Sequence, residues 1–283
     1  MATGENNPKL ISADNFSVEL SEQYHLSIEV SLSEFKFVIL DTKDITYKHL
    51  EIHQFNSKKF DRISDELRTI ISNNNVLKNT FSSLSVAYSN FPSTLIPCSV
   101  YNQADESKIL SLNTDIFECI LRDEITSQNA KLIYSVPEKI KSTIDTFFPK
   151  IKSNSLETIL IKEYEKITRE KPTAYININQ NSVLITIFNK KNLIFNNSFD
   201  FITKEDLLYY VLFSFEQLKF SPEKTKVILF GDINFFEEKY KLMYDYIREI
   251  DFGKRNKSLT YDDKFNCLEE CDHFGLFSQI LCA

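Results

Sequence analysis

The densest run of metal-ligating residue types is Cys267, Cys271 and His273, with Cys282 further on. Tetrahedral zinc is usually held by two ligand pairs, each closely spaced on a turn. Cys267 and Cys271 have that spacing, but the second pair is irregular and lies near the chain end. The segment is therefore expected to form a small-residue C-terminal strand packed in the second half of the chain, with no stoichiometric zinc. The five cysteines are odd in number and scattered, which predicts reduced thiols and no disulfide. His25, His49 and His53 fall on strand-like segments without a Ser or Cys partner motif. They read as satisfied sheet histidines rather than catalysts. No G-x-S-x-G, P-loop or G-x-G-x-x-G motif occurs. Four glycines in 283 residues leave little material for such loops, where average usage would supply roughly 20. Glycine is what lets backbone amides approach a phosphate closely.

The elements that must carry any site are ordinary in composition, at 42% hydrophobic and 26% charged. A net charge of −7 disfavours nucleic acid, because an acidic chain gains no counterion release from phosphates. The first sixteen residues have no apolar signal region, and no window approaches a membrane span. A cytoplasmic protein without membrane or nucleic-acid partners is expected.

Residues 1–16 are polar and read as a loose tail. Alternation then marks strands at 25–31, 35–40 and 47–55, followed by a helix over 58–72 and a short strand at 84–88. A helical piece at 102–110 and a hairpin at 115–125 and 130–136 come next. A helix over 137–148 starts at Pro137, and another begins near Ser153 and Asn154. Strands at 174–178, 183–188 and 193–199, a helix over 203–219, a strand at 227–230 and a helix over 235–249 complete the reading. Thr203 with Asp206 resembles a capping box. Meander, helix and strand thus occur twice, which predicts two lobes, 17–171 and 172–283. Each should hold an antiparallel meander and a post-helix strand parallel to a neighbour. The run from Leu207 to Phe213 is apolar all round, so that helix should be covered on every side unless Tyr209 and Tyr210 reach a cleft or partner.

The segments LIYSVPEKIKSTIDTFF, LETILIKEYEKI, AYININQNSVLITIF, NSFDFITKEDLLYYVLFSFEQL and KVILFGDINFFEEKYKLMYDYI follow the order of the actin/Hsp70/sugar-kinase superfamily. More closely, YHLSIEVSLSEFKFVILDT, EQL and ILFGDI resemble a bacterial family of unknown function with an actin-like ATPase fold. The resemblance spans 15–283. It implies an α/β protein with a two-lobed, ribonuclease H-like architecture built from duplicated meander–helix–strand units.

The same resemblance implies where an active ATPase would bind nucleotide, and here the motifs are degraded. The first phosphate turn, Glu29 to Glu34 with Ser31 and Ser33, has no glycine where Asp-x-Gly is wanted. The second, Asn177 to Ser182, offers neutral Asn179 and Asn181 in place of a metal-orienting carboxylate. Asn tolerates the left-handed conformation, so that hairpin can form without glycine. The adenosine turn has Gly231 followed by Asp232, whose charge repels phosphates. A nuclease would need Glu29, Asp41 and Asp232 together; the plainer reading is surface and turn acids. The expectation is a pseudo-ATPase module without catalytic residues. It should need no cofactor beyond weak ATP and magnesium, and should bind a protein partner or itself. The alternative is an ATP-using enzyme with a divergent phosphate site.

Overall fold

The computed structural model describes residues 8–57, 59–112 and 115–282. The chain divides into two compact units. The first comprises residues 1–159, 257–267 and 275 onward; the second comprises Leu160–Asn256 and Leu268–Phe274.

In the first unit, β2 (Tyr24–Val30), β3 (Glu34–Asp41) and β4 (Thr46–Gln54) form an antiparallel meander. Their apolar positions are almost all buried, because both sheet faces are covered. Helix α1 (Phe60–Asn73) crosses over, and β5 (Ser83–Tyr88) returns parallel to β2. A second, three-stranded sheet sets β8 (Ala130–Val136) between β6 (Ser93–Pro97) and β7 (Cys119–Ile125), both antiparallel to it. The short α2 (Glu106–Leu110) lies between β6 and β7 in the chain. Helix α3 (Glu138–Phe147) follows Pro137 and packs on α1, where the Ser64 hydroxyl donates to the Lys139 carbonyl at 3.1 Å.

The second unit repeats the pattern. Strands β10 (Thr173–Ile178), β11 (Ser182–Asn189) and β12 (Asn192–Asp200) are antiparallel, and α5 (Lys204–Gln217) leads to β13 (Lys226–Gly231), parallel to β10. Helix α6 (Glu238–Tyr246) leads to the edge strand β14 (Ile250–Phe252). The core joins Ile176, Ile185 and Leu229 of the sheet to Leu207, Val211 and Phe215 of α5 and Met243 of α6. The capping box at Thr203 forms in both directions. Asp206 N–H donates to Thr203 Oγ1 at 3.1 Å, and Thr203 N–H to Asp206 Oδ2 at 2.9 Å.

Four features depart from the sequence-based expectation. Within the expected tail, β1 (Lys9–Ser12) is an edge strand antiparallel to β4; its one inward residue, Ile11, anchors it. Residues 1–7 of that tail lie outside the described residues. The connecting helix, α4 (Leu156–Ile167), begins after a four-residue strand, β9 (Lys152–Ser155), which lies parallel to β5. Its first residues belong to the first unit, so the units divide at 159/160 rather than 171/172. The C-terminal stretch is not a strand in the second half. After the two-residue strand β15 (Thr260–Tyr261), it is helical at α7 (Phe274–Ser278), and residues from 275 pack in the first unit. Buried Leu276 and Phe277 hold it there, and the Tyr47 hydroxyl donates to the Phe277 carbonyl. Finally, α5 is not covered all round: Tyr209 and Phe213 are exposed, while Tyr210 stacks half-buried on Phe199. Among the described residues, no helix is long and apolar enough to cross a membrane.

Candidate functional site

The turn between β2 and β3 closes on itself. Ser31 N–H donates to the Glu34 carbonyl at 3.0 Å. The buried Ser31 hydroxyl then accepts the amides of Ser33 and Glu34, each at 3.1 Å, with Ser33 Oγ also at 3.1 Å. These convergent amides are the groups an anion needs at such a turn, and a side chain of the turn itself occupies them. Charge is balanced in the same way. Lys36 lies opposite Glu29 across the strands, 3.7 Å from its carboxylate, and is paired with Glu34. Gln54 Nε2 donates to the other Glu34 oxygen at 2.6 Å. Burial raises the pKa of Glu29, Lys36 opposes that rise, and Glu34 reinforces it.

In the second unit, the β10–β11 turn is tied by Asn179 N–H to the Ser182 carbonyl at 2.8 Å. Phe201 N–H donates to the Asn181 carbonyl at 2.9 Å. Neither Asn179 nor Asn181 takes the left-handed conformation; the hydrogen bonds close this turn without it. At the end of β13, Gly231 has φ +83°. A β-carbon there would stand 2.1 Å from the Ile178 carbonyl oxygen, so only glycine permits this approach of β13 to β10. The amides of Gly231, Asp232 and Ile233 donate to Cys271 O at 3.0 Å, Ile178 O at 2.7 Å and Gly231 O at 2.8 Å. Asp232 itself is exposed.

The other candidates separate. Cys271 is buried, its thiol donates to the Ile233 carbonyl at 3.5 Å, and burial pushes its pKa up to about 12. Cys267 is exposed with its thiol on the Lys264 carbonyl, and it and Cys282 belong to the first unit while Cys271 and His273 belong to the second. No group of three or more His, Cys, Asp or Glu stands ready to hold a metal ion among the described residues. Two acids of the nuclease constellation, Glu29 and Asp41, are also apart. Asp41 pairs with Tyr24 at the far end of β2 from Glu29, about 17 Å away at about 3.4 Å per residue, and Asp232 belongs to the other unit.

The histidines have partners that the sequence reading missed. Parallel pairing of β2 and β5 sets His25 beside Ser83 and Ser85, with Nδ1 2.7 Å and Nε2 3.0 Å from the two hydroxyls. Ser85 Oγ donates to Gln279 Oε1 at 2.9 Å, and Gln279 Nε2 donates to the Ile28 carbonyl at 2.8 Å. The directions fix the tautomer: His25 Nε2–H donates to Ser85, and Nδ1 accepts from Ser83. Burial lowers the His25 pKa to about 4, so the ring is neutral. On β4, Glu51 accepts from His49 Nε2 at 2.9 Å, His53 Nε2 at 3.0 Å and Asn74 Nδ2 at 2.7 Å. Spacing of two along a strand puts His49, Glu51 and His53 on one face, a signal the sequence did carry. Burial opposes the Glu51 charge, but the histidine hydrogen bonds outweigh it and bring the pKa to about 2.

Two meander–helix–strand units, each closed by a strand parallel to the first of its meander, define an actin-like ATPase fold. The chain belongs to the family described as "Protein of unknown function (DUF3822)", whose model matches residues 13–250. It is similar to a Bacteroides thetaiotaomicron protein with actin-like ATPase fold and unknown function, at 18% identity and a TM-score of 0.81 over 95% of this chain and 99% of that one. It is also similar in fold to a chain of the PilM–PilN type IV pilus biogenesis complex, at 8% identity and a TM-score of 0.58 over 91% of this chain and 98% of that one. A search of curated proteins found no match.

Proposed function

We propose that this chain is a non-catalytic actin-like module that works by binding a protein partner or a second copy of itself, not by hydrolysing ATP. The observation that carries the reading is the closed turn at Ser31: its hydroxyl takes the Ser33 and Glu34 amides, and Lys36 is spent on Glu29 and Glu34. A phosphate arriving there would have to displace these bonds and face Glu29. Asp232 adds a further exposed carboxylate at the β13 turn. Charge-assisted hydrogen bonds are worth about 1.5–3 kcal/mol each, so lacking two or three weakens a micromolar site to about millimolar. That a fold neighbour forms a protein complex supports the partner-binding half of the reading. Free thiols suit a reducing, cytoplasmic setting.

The test is the melting temperature with millimolar ATP and magnesium. Ligand at its own dissociation constant stabilises by about 0.4 kcal/mol, a shift near 1 °C. A shift of many degrees, or phosphate release abolished by Asn179→Ala, would overturn the proposal.

A further inference from the structure

The most exposed aromatic surface of the second unit lies where α5 and α6 begin. Phe236 is 82% exposed, Phe235 61%, Tyr244 60%, and Ile202 94%. Phe236 contacts Phe235 with ring centroids 5.9 Å apart, Phe235 contacts Tyr240 at 5.0 Å, and Tyr240 contacts Tyr244 at 5.8 Å. Phe235 and Phe236 lie in the turn just before α6, and Tyr244 is one helical turn beyond Tyr240; Tyr240 is buried in the core beneath them and joins the exposed rings into one ridge. Its helical part, from Glu238 to Tyr244, spans about 9 Å at about 1.5 Å per residue. Ile202 joins the same surface. Lys204 reaches Glu238 at 2.8 Å, and Lys239 lies 5.8 Å from the centroid of the Phe201 ring, so the 200–206 segment and the start of α6 are side by side.

The charges around this ridge have one sign to spare. Its three lysines are committed: Lys204 to Glu238, Lys239 to Glu237 at 3.6 Å, and Lys241 to Glu238 at 3.7 Å. Asp200, Glu205, Asp232 and Asp245 are exposed, and no ion pair engages them among the described residues. An apolar ridge rimmed by unmatched carboxylates complements apolar side chains flanked by cations. The same carboxylates repel an anionic lipid surface.

We infer that the ridge of Phe235, Phe236 and Tyr244 is the docking site for a short, basic amphipathic helix of a partner protein. The partner presents apolar residues at spacings of three and four with Lys or Arg between them. The inference rests on the module reading above and specifies the partner's chemistry. Its test uses no nucleotide, so either can fail alone.

The chain has no Trp, so a probe carrying a single Trp reports binding by its own fluorescence. The probe is a synthetic 14-residue helix with Leu at i, i+3, i+4 and i+7 and Lys elsewhere. Its twin carries Glu for Lys. With full-length protein in low salt, the Lys probe is expected to blue-shift saturably, the Glu twin not at all. Raising salt from about 50 to about 300 mM is expected to weaken binding about tenfold. Phe236→Ser with Tyr244→Ser, and separately Asp232→Lys with Asp245→Lys, are each expected to weaken it at least tenfold with unchanged melting temperature. Val100→Ser with Leu112→Ser, at exposed apolar positions of the first unit, is expected to leave it unchanged. Equal binding of the twins, no binding of the Lys probe, retention of binding by both ridge variants, or cosedimentation with anionic vesicles through this ridge would overturn the inference.

Discussion

Replacing Gly231 by Ala is the sharpest single perturbation of the second unit. The residue carries φ +83°, and a β-carbon would sit 2.1 Å from Ile178 O and 3.1 Å from Ile178 N. Holding Ala in a left-handed conformation costs about 1–2 kcal/mol. The overlap with backbone cannot be relieved by a rotamer, so the ends of β10 and β13 must separate. That movement breaks two bonds of this end of the sheet, Asp232 N–H to Ile178 O and Gly231 N–H to Cys271 O, each worth about 1 kcal/mol. The sum is about 3–4 kcal/mol. At about 4 °C per kcal/mol for a unit of this size, the unfolding midpoint of the second unit falls by more than about 10 °C. Thermal denaturation followed by far-ultraviolet circular dichroism reads it. Gly231→Asn separates the two contributions, because Asn tolerates positive φ yet keeps the β-carbon. It is expected to be almost as damaging as Ala. A Gly231→Ala protein melting within about 3 °C of the parent would refute the close-approach argument, and a well-tolerated Asn would leave strain alone as the cause.

Two further outcomes are expected. The Glu51 carboxyl has its pKa lowered from 4.5 to about 2 in the folded chain, so its contribution is complete above about pH 4.5 and is lost as pH falls toward about 2; Glu51→Gln should flatten the urea-midpoint profile across that window, and an unchanged profile would count against the His49–Glu51–His53 cluster. Gln279→Ala removes two buried bonds and leaves the Ile28 carbonyl without this partner, so urea denaturation should show a loss of about 2–4 kcal/mol, whereas a loss below about 0.5 kcal/mol would contradict the Ser85–Gln279–Ile28 arrangement.

The legible parts of the fold were those whose signal is local. Alternation placed both meanders, and the Thr203–Asp206 cap is written in four adjacent residues. What escaped depends on distant pairing. Strand β9 reads Lys-Ser-Asn-Ser and has no apolar alternation; only β5, far back in the chain, makes it a strand. Strand β1 hangs on β4 with a single buried apolar residue, too little for a periodic signal. The His25 partners are about sixty residues away and meet it through parallel pairing. At the candidate turns, the missing glycines and acids were visible in the sequence. That Ser31 fills the space they leave was not, because a serine hydroxyl folding back on its own turn has the same letters as an exposed one.

The route of the chain sets an order on its synthesis. The second unit is nearly continuous from Leu160 to Asn256, whereas the first is completed only by residues 257–267 and 275 onward. At about 5–20 residues per second on the ribosome, strands β2 to β5 emerge roughly 10–40 s before Leu276, Phe277 and Gln279 arrive to cover Tyr47 and bridge Ser85 to Ile28. During that interval the His25 ring and its two serines lack the side chain that completes their network. The inserted unit is therefore free to fold before its host is finished, and the nascent first unit is the stage at which a chaperone would find apolar surface to hold.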